Sequence, residues 1–327
     1  MRVLAGFLVV LGMAVMASAQ TPTVVKLDPQ FDQLLAADAK FEQIAEGMEW
    51  SEGPVWDRKG GYLLFSDVIR NTVFQWKPGQ GTKEFLKPSG YTGKEPFTGR
   101  EPGSNGLTFD AKGTLTLCQH GDRRVAQLQA DRSFKTLADR YEGKRFNSPN
   151  DLIFKKNGDL YFTDPPYGLP KTFEDPQREI GLNGVYRLGR DGKVTLLVKD
   201  MKAPNGIAFS PDEKTLYVSD SGSKLWMAFE VKSDGTLGKG RVLLDAAEFA
   251  KEKKGSPDGL KVDVHGNLWA SGPGGIYVIS PQGKVLGRID TGVPTSNCAW
   301  GEDGSTFFIT ANHNVFRVKT KTKGAGW

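Results

Sequence analysis

Six oxygen-bearing residues open one recurring phrase in this chain: Glu52, Asn105, Asn150, Asn205, Asp258 and Asn297. The phrases read Glu52-Gly-Pro-Val-Trp56, Asn105-Gly-Leu-Thr-Phe109, Asn150-Asp-Leu-Ile-Phe154, Asn205-Gly-Ile-Ala-Phe209, Asp258-Gly-Leu-Lys-Val262 and Asn297-Cys-Ala-Trp300. Their leads stand 53, 45, 55, 53 and 39 residues apart. Repeated units arranged about an axis would bring these leads to one height and radius. Two carboxylates and four amides there suit a hard cation. Ca²⁺ takes about 6–8 oxygen ligands from carboxylates, amide carbonyls and water. Zinc favours His or Cys, and no lead is either. Turn chemistry explains one or two Asn-Gly or Asp-Gly pairs, but less readily six acidic or amide leads in phase. No consecutive EF-hand loop is present, so the ligands must come from residues far apart in sequence.

The elements that would position these residues are short. Eight or nine residues after each lead comes a second phrase, as in Gly61-Tyr-Leu-Leu-Phe-Ser-Asp67, Gly158-Asp-Leu-Tyr-Phe-Thr-Asp164 and Lys214-Thr-Leu-Tyr-Val-Ser-Asp220. Turn residues separate the two phrases, so each unit opens with a hairpin. A third strand follows in each, and a fourth where the unit is long enough. Forty glycines and 18 prolines agree with many tight turns. No strand–helix alternation is visible. The expectation is an all-β, six-bladed β-propeller with four-stranded antiparallel blades around a central channel. The last unit is short, and residues 41–46 are expected to close it beside residues 315–318. Trp56, Trp269 and Trp300 recur at fixed phase and read as core between blades.

Residues 1–19 carry Arg2, an apolar run and Ala17-Ser-Ala19, the pattern of a cleaved secretory signal peptide. Residues 20–40 read as an N-terminal extension, 41–320 as the propeller and 321–327 as a C-terminal tail. The mature protein is therefore expected to be exported, periplasmic or secreted, with no membrane segment after cleavage. Export permits a Cys118–Cys298 disulfide, and two buried thiols suit the sequence equally. With 43 basic and 38 acidic residues dispersed along the chain, the net charge of +5 does not point to nucleic acid. Oligomeric state is not read from these features.

Glu52-Gly-Pro-Val-Trp56, Arg145-Phe-Asn-Ser-Pro-Asn-Asp-Leu152, Thr163-Asp-Pro-Pro-Tyr-Gly-Leu169, Ala203-Pro-Asn-Gly-Ile207 and Ser256-Pro-Asp-Gly-Leu260 resemble the family of senescence marker protein (regucalcin), gluconolactonase and luciferin-regenerating enzyme. The Thr163–Leu169 motif is similar to the bacterial gluconolactonase branch. The resemblance implies a divalent metal, usually Ca²⁺, with Zn²⁺, Mg²⁺ or Mn²⁺ as alternatives, held by Glu52, Asn150, Asn205 and Asp258. It implies hydrolysis of a small-molecule sugar-acid lactone such as glucono-1,5-lactone. Lewis-acid activation of the carbonyl and attack of water fit that chemistry. Asp258 is the expected catalytic base, with a metal-bound hydroxide as the competing route. Asn105, His120, Asp164, Tyr167 and His313 are the expected substrate-binding residues. No Gly-x-Ser-x-Gly elbow supports an acyl-serine route. Two alternatives stay open: a hydrolase of another ester, lactone or phosphotriester, and a non-catalytic binding propeller with a structural calcium.

Overall fold

Period-two alternation and Asp-led turns give the chain its first level of order. The structure is a computed structural model and describes residues 21–327; the expected signal peptide lies outside the described residues. Between the first two strands of a blade, one carboxylate caps the turn. Asp57 Oδ1 accepts from the Lys59 and Gly60 amides at 2.9 and 2.8 Å. Asp110 Oδ1 accepts from Lys112 and Thr114 at 2.9 and 2.8 Å. Asp263 Oδ1 accepts from His265 and Asn267, both at 2.9 Å. Such Asx turns fold the chain back and set the hairpin register.

Six antiparallel blades of four strands each follow one another in chain order, one of them extended by a fifth strand. Blade 1 is Ser51–Asp57, Tyr62–Asp67, Thr72–Lys77 and Gly81–Leu86. Blade 2 is Ser104–Phe109, Leu115–Gln119, Arg124–Leu128 and Phe134–Ala138. Blade 3 is Leu152–Phe154, Leu160–Asp164, Gly184–Leu188 and Val194–Val198. Blade 4 is Pro204–Phe209, Thr215–Asp220, Leu225–Glu230 and Arg241–Asp245. Blade 5 is Leu260–Val262, Leu268–Gly272, Gly275–Ile279 and Val285–Asp290. Blade 6 takes Asn297–Gly301, Thr306–Ala311 and Asn314–Lys319 from the C-terminal end and Phe41–Ala45 from the N-terminal end. The pairing Phe41↔Val318 through Ala45↔Val315 closes the ring as the short last unit predicts. The first strand of every blade packs against the first strands of its two neighbours, so the arrangement is a closed propeller.

The segment read as an N-terminal extension is built into this ring. Thr23–Lys26 pairs with Val285–Asp290 as a fifth strand on blade 5. The following turn buries Phe31, Leu34 and Leu35 in the core between blades 5 and 6. The tail is also engaged, because the Val264 amide donates to Lys323 O at 2.9 Å and the Arg58 guanidinium lies 3.8 Å from the Trp327 ring centroid. The recurring aromatics are inter-blade core, as their phase predicts. Trp56 stacks on Phe308 at 5.5 Å, and Trp269 meets Trp300 edge-on at 5.2 Å. Cys118 and Cys298 are both buried and unbonded, so the disulfide that export would permit is not formed. Burial raises the Cys298 thiol to about 12, which leaves it a small apolar side chain. No helix among the described residues is long and apolar enough to cross a membrane.

Because Phe31 is fully buried between two blades, its loss leaves a cavity as well as lost transfer energy. Phe31→Ala is expected to lower unfolding stability by about 3–5 kcal/mol, read from urea denaturation. A change within about 0.5 kcal/mol would show the N-terminal segment to be peripheral.

Candidate metal and active site

Every first strand runs away from its lead, so all six leads gather at one end of the channel. There the backbone of one blade presses on the next. A Cβ added to Gly53 would lie 2.0 Å from Asn105 O, and one added to Gly206 would lie 2.3 Å from Asp258 O. Gly106 meets the Asn150–Asp151 backbone and Gly259 meets the Asn297 side chain in the same way. The glycine after a lead is therefore a close-approach residue between blades. Hydroxyls add stitches across the same seams: Ser66 Oγ donates to Asn105 O at 2.9 Å and Thr163 Oγ1 to Asn205 O at 2.8 Å.

Three carboxylates at the ends of second strands aim the leads. Asp67 takes the Glu49 and Trp50 amides at 2.9 and 3.2 Å, just before Glu52. Asp164 takes the Asn147 and Ser148 amides, both at 2.8 Å, just before Asn150. Asp220 takes the Lys202 and Ala203 amides at 3.0 and 2.9 Å, just before Asn205. Asp164 is thus one of three equivalent backbone clamps. It was expected in the substrate-binding set, but it is fully buried and each of its oxygens accepts a backbone amide, so its contacts are to the chain entering Asn150.

The lead side chains themselves are left unsatisfied. Asn105 Oδ1, Asn150 Oδ1 and Asp258 Oδ1 are buried without a hydrogen-bond partner. Asn205 spends its Nδ2 on Ser221 Oγ at 3.1 Å, which leaves its oxygen as the free end. Glu52 is 3% exposed, with Oε2 accepting from the Gly53 amide at 3.1 Å. Asn297 differs from the other leads. Its Oδ1 accepts from the Cys298 amide at 2.8 Å and its Nδ2 faces Glu52 Oε2 at 3.4 Å, so it serves as a donor to Glu52.

Burial raises Glu52 from 4.5 to about 8, opposed by the Gly53 amide and reinforced by the charge of Asp151. Burial also holds Asp258 well above the usual carboxylate range, with Glu52, Asp151 and Glu101 adding to the rise. Buried polar groups are ordinarily hydrogen-bonded and buried charges paired. Orphaned oxygens and mutually repelling carboxylates in one place are what a cation would satisfy. Among the described residues no group of three or more His, Cys, Asp or Glu is suited to a metal. The candidate ligand set is a mixed one, two carboxylates with asparagine amides, which favours an oxygen-seeking cation over zinc.

The other expected residues divide. Tyr167 is half-buried, and its hydroxyl is pushed well above the usual range by burial, with Asp258 and Glu101 contributing. It therefore stands beside the carboxylates, with its ring edge-on to Phe173 at 5.9 Å. His120 is buried, with Nε2 3.4 Å from Asn150 Nδ2 and Nδ1 3.2 Å from Glu101 Oε2. His313 is exposed in the turn of blade 6. Its Nδ1 lies 2.7 Å from Met48 O, and it makes no hydrogen bond to a lead side chain.

Two residues of this site escape a sequence reading. Asp151 Oδ2 is buried without a partner beside Asn150. The signal was available, because Asp stands where four other units place glycine after the lead. Glu101 lies in the irregular segment between blades 1 and 2, outside the repeat, and nothing in its sequence context marks it. At the far end of the channel a separate cavity of about 600 Å³ opens between Val55, Trp56, Phe109, Ile153, Phe209 and Trp300. Its walls mix these apolar side chains with Asp57, Lys59, Asp110 and Lys112, and none of the six leads lines it.

Fold and site together define a six-bladed propeller with a cluster of buried, oxygen-bearing side chains at one mouth of its channel. The chain belongs to the family described as the SMP-30/Gluconolactonase/LRE-like region, whose model matches residues 50–313. It is 45% identical over 315 residues to a gluconolactonase of Zymomonas mobilis, covering 92% of this chain and 87% of that protein. It is 32% identical to a 6-deoxy-6-sulfogluconolactonase of Pseudomonas putida, covering 80% and 82% of the two chains. A solved gluconolactonase structure from Xanthomonas campestris superposes with a TM-score of 0.79 at 32% identity, covering 93% of this chain and 99% of that one.

The raised carboxylates set a pH dependence. A group with a raised folded pKa binds its proton more tightly in the folded state. Its stability contribution is full below the unfolded pKa and is lost as pH rises through the folded value. For Glu52 that window runs from 4.5 to about 8. Chelator-treated protein should therefore lose thermal stability across this range, and Glu52→Gln should flatten the loss. A Tm that is level or rises with pH in metal-free protein would contradict the assignment.

Proposed function

We propose that this protein is a lactone-hydrolysing enzyme that opens a sugar-acid lactone to the aldonic acid, with a divalent cation, Ca²⁺, held by Glu52, Asn150, Asn205 and Asp258. The observation that carries this reading is the set of buried, partnerless oxygens on Asn105, Asn150 and Asp258 beside two carboxylates that lack a counter-charge. The gluconolactonases among its relatives supply the substrate class. A bound cation there supplies Lewis-acid polarisation of the lactone carbonyl and stabilisation of the oxyanion.

The chain's own groups do the rest. Asp258 takes a proton from the attacking water as the water oxygen bonds to the lactone carbonyl carbon. Collapse of the tetrahedral species breaks the bond from that carbon to the ring oxygen. The leaving oxygen then recovers the proton, and the product is a hydroxy acid. Glu52, Asp151 and Glu101 raise the basicity of Asp258, opposing the depression that a bound cation imposes. Tyr167 borders the mouth and offers a phenolic hydroxyl to the sugar. Asn105 Oδ1 offers an acceptor to a substrate hydroxyl or to a bound water. The same reading has the chain exported after cleavage behind Ala19, periplasmic or secreted. Intact mass of the exported protein starting at Gln20 is the check, and retention of residues 1–19 would refute it.

EDTA is expected to abolish hydrolysis of glucono-1,5-lactone by the purified protein, and added Ca²⁺ to restore it. Asp258→Asn should lower kcat/KM by about 10²–10⁴ while the protein stays folded. Turnover that survives exhaustive chelation would remove the cation from the reaction. A folded, Ca²⁺-binding protein that turns over no lactone or ester would instead identify a structural calcium in a binding propeller.

A further inference from the structure

The irregular segment between blades 1 and 2 carries Glu101 to the mouth of the channel. Its backbone is pinned there, because the Tyr91 amide donates to Pro102 O at 2.6 Å and the His120 amide donates to Gly103 O at 3.1 Å. Glu101 is thereby laid against the His120 ring, with Oε2 3.2 Å from Nδ1, a charge contact without hydrogen-bond geometry that leaves Nδ1 otherwise unpartnered. The imidazole is fully buried, whereas Glu101 is 22% exposed. Gly168 covers the other side so closely that a Cβ there would sit 2.6 Å from His120 Cβ. The opposite ring nitrogen, Nε2, lies 3.4 Å from Asn150 Nδ2.

We infer, on the reading that the channel mouth holds a divalent cation, that Glu101 is a positioning residue: it selects the His120 tautomer and through it the direction of the Asn150 amide. A neutral imidazole has one N–H, and an ionised carboxylate only accepts. In the Nε2–H form the Nδ1 lone pair would stand 3.2 Å from a carboxylate oxygen and repel it, so the neutral ring carries its proton on Nδ1, on the side of Glu101. Nε2 is left with a lone pair, so Asn150 must turn its NH₂ towards the ring. Its Oδ1, buried without a protein partner, is then the atom available to the cation. The other tautomer would set a ring N–H against the amide NH₂. Relief of that clash turns the amide over and offers NH₂ groups to a positive ion. The three residues come from an inter-blade segment, blade 2 and blade 3, so the relay spans the seam between two blades. Outer partners of this kind fix ligand orientation, and their loss costs about 10–100-fold in metal affinity.

The test compares wild type, Glu101→Leu and Glu101→Gln, with Glu101→Ala in place of the leucine variant should that fail to fold. One readout is the ¹⁵N–¹H correlation of the His120 ring in chelated protein; the other is Ca²⁺ binding by calorimetry. Wild type should carry the ring proton on Nδ1. Glu101→Leu should move it wholly or partly to Nε2 and weaken Ca²⁺ binding by about 10–100-fold. Glu101→Gln, which keeps an acceptor but no charge, should retain the Nδ1–H form and stay within about threefold of wild-type affinity. A wild-type proton on Nε2 would overturn the inference. So would an unchanged tautomer or affinity in Glu101→Leu, or a loss in Glu101→Gln as large as in Glu101→Leu. Wild type that binds no divalent cation would defeat the cation reading instead, while the tautomer readout in metal-free protein would still decide the role of Glu101.

Discussion

Six first strands have to converge on one axis, and the backbone there is so crowded that a single Cβ is excluded at several seams. Gly53 lies against Asn105 O, Gly106 against the Asn150–Asp151 backbone, Gly206 against Asp258 O and Gly259 against the Asn297 side chain. This close approach brings residues more than two hundred positions apart to one place. It also strips water from whatever side chain stands beside the glycine. The repeated lead-glycine pair is thus one device with two effects: the glycine closes the ring, and the ring desolvates the lead.

Desolvation then separates carboxylates of the same type into two roles. Asp67, Asp164 and Asp220 each receive at least two backbone amides and fix the chain just before a lead, although burial still raises Asp164 to about 7 against the Asn147 and Ser148 amides. Glu52 and Asp258 stand at the mouth instead, where Asp258 Oδ1 has no hydrogen-bond partner and the two carboxylates repel one another. Burial of two carboxylates without a counter-charge is costly at this mouth. A positive group able to take several oxygens at once would relieve that cost. Stability lost locally at this point is offset by the apolar seams between blades, where Trp56, Trp269, Trp300 and their aromatic partners lie.

The two ends of the channel differ for the same geometric reason. At the lead end the strands open with polar residues held by clamps. Three residues along, the ring is Val55, Thr108, Ile153, Ala208, Lys261 and Trp300, and beyond it a cavity opens towards the hairpin turns. Lys261 is the one charge at that level, with Nζ donating to Leu260 O at 3.0 Å and lying 3.5 Å from Asn297 Oδ1. It helps hold Asn297 with its oxygen turned from the mouth and its NH₂ towards Glu52. The Cys298 amide, at 2.8 Å, is the closer partner of that oxygen.

The repeat was legible from sequence because hairpins are local: alternation, Asp-led turns and glycine punctuation act within about ten residues, and six matching phrases imply six equivalent units. The lead residues were legible for the same reason, since symmetry converts equal phase into equal position. The clamp role of Asp164 was hidden, because an Asp ending a strand looks alike whether it meets amides or a ligand, and only the fold returns the chain to within 2.8 Å of it. The N-terminal strand Thr23–Lys26 carries no repeat phrase, and its place on blade 5 depends on a sheet edge made by residues far along the chain. Glu101 belongs to no repeat, so phase says nothing of it. Sequence alone determined which residues are equivalent. Tertiary structure decided which equivalent oxygens are satisfied and which are left bare, because hydrogen-bond partners here come from neighbouring blades, and neighbours exist only once the ring has closed.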